Sequence, residues 1–429
     1  MEFFSPATTT LLVLAVMAVF FVTEAIPLAV TAMSGAIVLG LCGVITPQQV
    51  FSGLANSTVV LFAGMFVIGT AMFHTGLAQK IGASVVRIFG TGDKGLMFGV
   101  MLVAAVLSSV SSNTGTTAAL MPVVIAICST ARLSSSRHLM PLAFAAGLGG
   151  TMTLVGTPPN ILANATLAAN SITPFHFFEF ALIGIPVTLV GMAYMMLVGN
   201  RLLPKDGLRA DDALRLAEKH RDEAEARNAD PKKMLVTGLT LLAVVTVMAL
   251  DIKRFPLEMV AVTGAIVLVL SGCISEKEAY QGIDWVTIFL FAGMMPVAIA
   301  LDKSGAGEII ADSVIAFLGD KPSPYLLCTV LFILSAGLTQ FMSNTASAAL
   351  LCPLALSIAA GIGVSPQAVI MSIAIAASCA FATPVGTPPN TLVLGAGNYR
   401  FMDYVKVGAP LVVLEMLVCS LLIPMIWPF

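Results

Sequence analysis

Long apolar segments, separated by short polar phrases, make up most of the chain. Continuous hydrophobic runs occupy residues 10–22, 57–73, 180–198, 234–250, 257–273, 285–301 and 409–425. Each run is close to the length that crosses ~30 Å of hydrocarbon as a helix. The runs are continuous rather than alternating, which favours helices over membrane β-strands. The pattern therefore predicts an all-α polytopic membrane protein.

Two polar phrases occur twice. SNTGTTAALMP at 112–122 is repeated as SNTASAALLCP at 343–353, and VGTPPN at 155–160 is repeated at 385–390. The asparagines of the two phrases lie 47 positions apart in the first half and 46 in the second. Unrelated segments would not share both phrases at nearly the same separation. The chain is therefore an internal duplication, and polar phrases inside an oily sequence mark a site.

The rest of the chain repeats with a similar offset. Pro27 and Pro256 are 229 positions apart, and the same offset relates GAIVL at 35–39 to 264–268. We predict the following division: a first repeat at 1–200, with a hairpin at 95–130 and a broken helix at 139–170; a charged cytoplasmic linker at 201–233; and a second repeat at 234–429, with a hairpin at 323–361 and a broken helix at 366–398.

The hairpins and broken helices follow from the polar phrases. A straight helix would place the hydroxyls and amide near Ser112–Thr114 in lipid, whereas irregular backbone at depth is tolerated against protein or water. A re-entrant hairpin returns to its own side, so each repeat crosses five times. An odd number of crossings predicts two inverted repeats, whose hairpin tips and helix breaks meet near the midplane.

Basic residues set the predicted orientation. With both termini outside, 17 of the 21 Lys and Arg residues, including those of the 201–233 linker, face the cytoplasm. This is the bias that the positive-inside rule requires. The short loops favour a bacterial inner membrane.

Composition narrows the function. Charged residues make up 10% of the chain, against about a quarter in soluble proteins. The seven cysteines and four histidines are scattered without a CxxC or Cys/His cluster, so no soft-metal site is predicted. Nothing in the sequence predicts a nucleic-acid partner.

The doubled phrases have the chemistry of an anion site. Helix-compatible sequence resumes after each SNT, and Thr157 and Thr387 are good N-cap residues ahead of prolines. Four half-helix N-termini of about +0.5 charge each would sum to about +2. Residues 95–131 and 322–399 contain no Lys or Arg. A dianion would therefore be held by backbone N–H groups, hydroxyls and amides, together with bound cations.

The same phrases offer oxygen ligands for cations. Ser108 lies one turn before Ser112, and Thr339 lies one turn before Ser343. Their hydroxyls, the asparagine amides and carbonyls freed at Gly156 and Gly386 suit a hard ion such as Na⁺.

Helix packing is the plainest alternative role for the small polar residues of the motifs. Such residues often serve close packing in membrane helices, but packing alone does not account for the doubling of both phrases. Glu24, Glu179, Glu258 and Glu415 lie near helix ends or alone in apolar runs, and we expect no carboxylate beside the breaks. That argues against a cation–proton antiporter. No Ser/His or paired-Asp arrangement converges on the motif, so the protein is not expected to be an enzyme.

At these residues the chain resembles the divalent anion–sodium symporter family, within the ion transporter superfamily. The resemblance implies a homodimer in which a scaffold holds a transport domain that moves as an elevator. It implies substrate contacts from Ser112, Asn113, Thr114, Thr157, Ser343, Asn344, Thr345, Thr387 and Pro388. It implies one Na⁺ site at Ser108, Ser112, Asn113 and Gly156, and another at Thr339, Met342, Asn344 and Gly386. Some relatives have an extra leading helix, and some have Ala at the position of Gly386.

The function expected is Na⁺-coupled symport of a dianionic small molecule, a C4-dicarboxylate such as succinate, malate or fumarate, with Na⁺ as the coupling ion. A sulfate or other oxyanion symporter and a Na⁺-independent dicarboxylate exchanger are the alternatives.

Overall fold

The structure is a computed structural model that describes residues 5–89, 92–204, 230–252, 254–318 and 323–428. All regular secondary structure within these ranges is helical. Eight of the described helices are long and apolar enough to cross a membrane. The predicted all-α membrane architecture is thus confirmed. Most of the predicted linker, residues 205–229, lies outside the described residues.

The first half contains ten α-helices among the described residues, besides a short 3-10 helix at Ser52–Ala55. They are α1 (Pro6–Thr23), α2 (Leu28–Leu41), α3 (Pro47–Val50), α4 (Ser57–His74), α5 (Leu77–Phe89), α6 (Asp93–Ser108), α7 (Asn113–Thr130), α8 (Ser136–Gly150), α9 (Pro158–Ala169) and α10 (Ala181–Leu202, continuous through a π-helical turn at Met195–Gly199).

The second half repeats this order in the described residues. Its helices are α11 (Pro231–Ala249), α12 (Leu257–Leu270), α13 (Glu276–Gly282), α14 (Trp285–Ser304), α15 (Ala306–Leu318), α16 (Pro324–Leu338), α17 (Asn344–Ile362), α18 (Pro366–Ala377), α19 (Pro388–Ala396) and α20 (Phe401–Ile426).

The two halves contact each other through two helix pairs that are related by the repeat. Helix α2 packs on α14, and α4 packs on α12; the repeat relates α2 to α12 and α4 to α14. At each crossing a glycine allows close approach: a Cβ on Gly64 would lie 2.8 Å from the carbonyl carbon of Ala261, and one on Gly293 would lie 2.6 Å from that of Ala32. Both glycines, and both alanines, are 229 positions apart. The internal duplication therefore builds one helix-crossing geometry twice.

We expect Gly293→Ala to destabilise the fold by about 1–3 kcal/mol, the usual cost of forcing atoms into a packed core. The added methyl group would meet the backbone of Ala32, which cannot rotate away. Thermal unfolding in detergent would measure the change. Gly337→Ala is the matched control, because a Cβ there has no neighbour within 4 Å. Equal melting temperatures for the two variants would contradict the close crossing.

A second group of helices carries the doubled motifs. Helices α6 and α7 form a hairpin, as do α16 and α17, and α8 and α18 end in non-helical segments, 151–157 and 378–387, before α9 and α19 begin. The predicted tip at Ser112–Thr114 is slightly displaced, because the non-helical residues are 109–112 and α7 begins at Asn113. Four half-helices thus begin, and four end, at the repeated phrases.

Candidate functional site

A single cavity joins both copies of both motifs. It has a volume of about 550 Å³ and lies between the motif-bearing helices on one side and α4 and α14 on the other. All nine residues predicted to contact substrate line it: Ser112, Asn113, Thr114, Thr157, Ser343, Asn344, Thr345, Thr387 and Pro388. Residues separated by more than 270 positions in the chain are therefore neighbours in one site.

Four helix N-termini face this cavity, those of α7, α9, α17 and α19. Ser112 and Ser343 are the N-caps of α7 and α17, and their hydroxyls accept from the backbone N–H of Gly115 at 3.0 Å and Ala346 at 3.1 Å. The sequence predicted that Thr157 and Thr387 cap α9 and α19, and the structure agrees with their position but not with a capping bond. Both occupy N-cap positions with extended backbone, but neither side chain makes a capping hydrogen bond.

The side chain of Asn113 lies at the centre of a cluster of oxygens. The Ser108 hydroxyl donates to its Oδ1 at 2.6 Å. The carbonyl oxygens of Ala146 and Gly156 face the same amide atom at 3.2 and 3.3 Å. Turned over, the amide Nδ2 would donate to all three oxygens. Unturned, four oxygens face one another, an arrangement that a hard cation between them would stabilise.

The second half builds the same cluster around Asn344. The Thr339 hydroxyl lies 2.9 Å from Oδ1, and the carbonyl oxygens of Ala377 and Gly386 each lie 3.2 Å from the same amide atom. Ser108 and Thr339 are fully buried behind the cavity wall. Met342 lies in the tip between Thr339 and Asn344 with its side chain buried. The contribution of Ala146 and Ala377 was missed, since a main-chain carbonyl has no sequence signature.

The last residue of each GTPPN phrase holds its helix break closed. The Nδ2 of Asn160 donates to the carbonyls of Gly150 and Thr153 at 3.2 and 2.8 Å. The Nδ2 of Asn390 donates to the equivalent carbonyls, of Ala380 at 2.8 Å and Thr383 at 3.0 Å. These two asparagines were not among the predicted site residues. Their repetition within the motif was the available signal.

Threonines tie each break to its hairpin tip. The Thr153 hydroxyl donates to the carbonyl of Ser109, and the Thr383 hydroxyl donates to that of Gln340 at 2.5 Å. The Gln340 side chain also binds the second break, since its Nε2 donates to the Cys379 carbonyl at 2.9 Å. Tip and break therefore form one connected unit in each half.

The wall opposite the motifs was not predicted. It is formed by α4, from Phe62 to Phe73, and by the residues around the start of α14: Phe62, Met65, Phe66, Gly69, Thr70, Phe73, Gly282, Asp284, Val286, Thr287 and Leu290. Among the described residues that line the cavity there is no Lys or Arg, and Asp284 is the one charged side chain. The Asp284 carboxylate is engaged at the start of α14, where it accepts from the Thr287 N–H at 3.2 Å.

An ion pair stands near this wall, where α4 ends beside α13. His74 Nδ1 lies 3.3 Å from the Glu278 carboxylate. The Ser275 hydroxyl and backbone N–H, which donate to that carboxylate at 2.7 and 2.8 Å, lower the pKa of Glu278, with a smaller contribution from His74. A lowered carboxyl pKa means that Glu278 carries its negative charge at neutral pH, and that its bonds from Ser275 weaken as the pH falls through that pKa.

One expectation about carboxylates is wrong. We expected none beside the breaks, but the structure places the buried Glu415 of α20 against Cys379, in the second non-helical segment. The sequence showed only an isolated glutamate in an apolar run. Its neighbour could not be read from it, because α20 lies far along the chain from the break.

With this geometry established, the chain can be compared with known proteins. A profile of the family described as citrate transporter, CitMHS, matches residues 18–372 and 314–429. The chain belongs to the citrate transporter family. It is a transporter and not an enzyme, and the predicted resemblance to divalent anion–sodium symporters within the ion transporter superfamily is confirmed.

Characterised and uncharacterised relatives align over nearly the whole chain. The chain is 27% identical to the uncharacterized transporter YfbS of Escherichia coli, over 97% of this chain and 98% of the relative. It is 30% identical to an uncharacterized transporter of Haemophilus influenzae, over 94% and 88%. It is 25% identical to the sodium-dependent dicarboxylate transporter SdcS of Staphylococcus saprophyticus, over 96% and 84%.

Two solved transporters share the fold. The Alcanivorax borkumensis YdaH transporter matches with a TM-score of 0.60 at 18% identity, over 98% of both chains. Neisseria gonorrhoeae MtrF, described as one of a class of antimetabolite efflux pumps, matches with a TM-score of 0.65 at 15% identity, over 99% of this chain and 96% of that one. At these identities the likeness concerns architecture alone.

Proposed function

We propose that this protein is a secondary active transporter that couples uptake of a dianion, most simply a C4-dicarboxylate, to the entry of Na⁺. The observation that carries the proposal is the paired arrangement of one cavity with two oxygen clusters. The cavity is lined by four helix N-termini, and none of its described lining residues is basic. The clusters around Asn113 and Asn344 lie directly behind it.

The polarity of the half-helices separates the two ions. N-termini carry partial positive charge and C-termini partial negative charge. Helices α7, α9, α17 and α19 begin at the cavity, which favours an anion there. Helices α6, α8, α16 and α18 end at the oxygen clusters, where a cation is favoured. Discontinuous helices in transporters use both ends in this way.

The two ions would stabilise one another through the tips. Each asparagine belongs to the cavity lining and to an oxygen cluster at once. A cation that fixes the amide oxygen inward also fixes the first turn of α7 or α17, whose N–H groups face the anion. Binding of Na⁺ first would therefore raise the affinity for the anion, which is the reciprocal linkage that coupling requires.

The movement would be that of the motif-bearing helices against the paired helices α2, α4, α12 and α14, in the elevator manner and as a homodimer. The wall residues of the cavity belong to α4 and to the start of α14. The orientation proposed from the basic residues has both termini outside and residues 201–233 in the cytoplasm of a bacterial inner membrane.

The proposal predicts that labelled succinate enters proteoliposomes under an inward Na⁺ gradient. Replacing Na⁺ with K⁺ or choline should reduce the initial rate of uptake by about tenfold or more. Without bound Na⁺, the oxygen clusters would carry no positive charge to stabilise the dianion in the cavity. The 25% identity to sodium-dependent dicarboxylate transporters supports this choice of ion and substrate. Uptake of equal rate in choline would contradict sodium coupling.

Citrate is the second candidate substrate, favoured by the description of the matching family. Competition of unlabelled citrate, sulfate and succinate against labelled succinate would rank the anions. Stimulation of uptake by internal dicarboxylate, without any Na⁺ gradient, would instead indicate an exchanger.

A further inference from the structure

The carboxyl group of Glu415 is the most unusual polar group in the described membrane-spanning helices. Its side chain is fully buried, and neither carboxyl oxygen has a hydrogen-bond partner among the described residues. The Cys379 thiol faces it, but this thiol donates to the Ile375 carbonyl at 3.2 Å. An ionised carboxylate left unpaired at membrane depth would be strongly unfavourable, because the surroundings do not replace its hydration.

The repeat shows that packing does not require a carboxylate here. Helices α10 and α20 run along the first and second breaks in the same way. A Cβ on Gly184 would lie 2.4 Å from the Thr151 carbonyl oxygen, and one on Gly408 would lie 1.9 Å from that of Phe381. The two glycines are 224 positions apart. This close contact aligns α10 with α20.

At the position equivalent to Glu415 the first half is apolar. Counting the same 224 positions back gives Gly191, and a Cβ there would lie 2.5 Å from the side chain of Leu148. Leu148 in turn lies 231 positions before Cys379, the offset that relates Ser108 to Thr339. In the first half, a Gly–Leu contact therefore occupies the place that the Glu–Cys contact has in the second half.

The surroundings supply no counter-charge. Helices α10, α16 and α18 pack on α20. Their titratable residues, with those of the second break and of α20 itself, are Tyr194, Arg201, Tyr325, Cys328, Cys379, Asp403, Tyr404, Lys406 and Cys419. The titratable groups in electrostatic contact with the carboxyl are the thiols of Cys379 and Cys419, and Cys328 is in turn in electrostatic contact with Cys419. Arg201 and Lys406 lie at helix ends, and the Tyr194 hydroxyl donates to the Val407 carbonyl, two turns from Glu415.

The carboxyl lies immediately behind the substrate cavity. Next to Cys379, the Ser378 hydroxyl donates to the hydroxyl of Thr157 at 3.5 Å. Thr157 lines the cavity. Charge on Glu415 would have to draw in water or a cation, and would thereby displace the segment that carries Ser378. The contacts from Glu415 through Cys379 and Ser378 to Thr157 therefore offer a route by which the carboxyl could affect the cavity wall.

We propose that Glu415 is a proton-binding site coupled to transport: the neutral carboxyl supports the closed packing of segment 378–387, and its loss of the proton to water inhibits the transport cycle. Uptake serves as one readout, and to that extent the inference rests on the proposed function. The site itself does not depend on which anion is carried.

The test compares the wild-type protein with Glu415→Gln, a neutral side chain of the same shape. At saturating Na⁺ and substrate, wild-type uptake should fall as the pH rises, with a limb approaching tenfold per pH unit, the slope of a single proton. Glu415→Gln should keep the rate of the protonated protein over that range. Cys419→Ala, one turn further along the same face, should behave as wild type. A Glu415→Gln profile that parallels the wild-type profile would overturn the proposal.

Infrared spectroscopy provides a readout that needs no substrate. The wild-type protein at neutral pH should show the C=O stretch of a protonated carboxyl, and titration to alkaline pH should remove it. Its absence at neutral pH would overturn the proposal even if Glu415→Gln failed to fold. Because no anion or Na⁺ is involved, this result stands whether or not succinate is the substrate.

Discussion

Replacing Asn113 or Asn344 with alanine should abolish uptake at the Na⁺ concentrations that just saturate the wild-type protein, while leaving the protein folded. Each amide is shared between the cavity and an oxygen cluster, and its removal takes away a cation ligand and the group that positions the first turn of α7 or α17. Interactions of a polar group with a charge contribute ~1.5–3 kcal/mol. The Na⁺ concentration for half-maximal uptake should therefore rise roughly 10- to 100-fold in each variant.

The control for both variants is Asn170→Ala. This asparagine lies at the far end of α9 and bonds only within its own helix, its Nδ2 donating to the Thr166 carbonyl at 2.8 Å. Elution volume and melting temperature should match the wild type for all three proteins. Wild-type Na⁺ dependence in both Asn113→Ala and Asn344→Ala would refute the assignment of the two clusters.

Gly156→Ala should reduce sodium-driven uptake as strongly as the loss of Asn113 or Asn344, because its added methyl group would clash with the backbone of the break. A Cβ on Gly156 would lie 2.5 Å from the carbonyl oxygen of Gly150 and 2.9 Å from its Cα. Because these are backbone atoms, the break can accommodate the methyl group only by opening, which moves the Gly156 carbonyl away from Asn113. We expect uptake to be lost and stability to fall by about 1–3 kcal/mol.

Gly395→Ala is the matched control for this variant, since it lies within α19 and a Cβ there has no neighbour within 4 Å. It should transport normally. The equivalent variant of the second half, Gly386→Ala, introduces a Cβ 2.7 Å from the Thr339 carbonyl oxygen, again a backbone atom. If Gly156→Ala transported at the full rate at the Na⁺ concentrations that suffice for the wild type, the close contact between Gly156 and the backbone of Gly150 would not be needed for transport.

Pseudo-symmetry explains why the site has two oxygen clusters but one cavity. The clusters are built within each half, by a hairpin tip and the break of the same repeat, so duplication yields two copies. The cavity lies where the halves meet, so a single cavity is lined by both copies of each motif. The symmetry is incomplete at Gly191 and Glu415, and that difference is the basis for assigning a separate role to the carboxyl.

Local features of the site could be predicted from the sequence. The SNT and GTPPN phrases predicted helix interruptions, because hydroxyls, amides and prolines are incompatible with continuous helix in lipid, and their repetition predicted that both copies meet. Ser112 and Ser343 follow the local rule for N-caps, while Thr157 and Thr387 show that the position can be filled without the capping bond. The division into repeats at 1–200 and 234–429 stays a prediction.

The sequence by itself determined the membrane class, the duplication, the helix interruptions and the polar residues of the cavity, because these depend on hydrophobicity, turn chemistry and repetition along the chain. Only the tertiary structure decided which carbonyls join the asparagines, which wall of α4 and α14 closes the cavity, and that Glu415 lies beside the second break. The physical reason is the same in each case. Main-chain carbonyls are identical at every position, and contacts between distant segments depend on how helices cross, which small residues such as Gly64, Gly293 and Gly408 permit but do not specify alone.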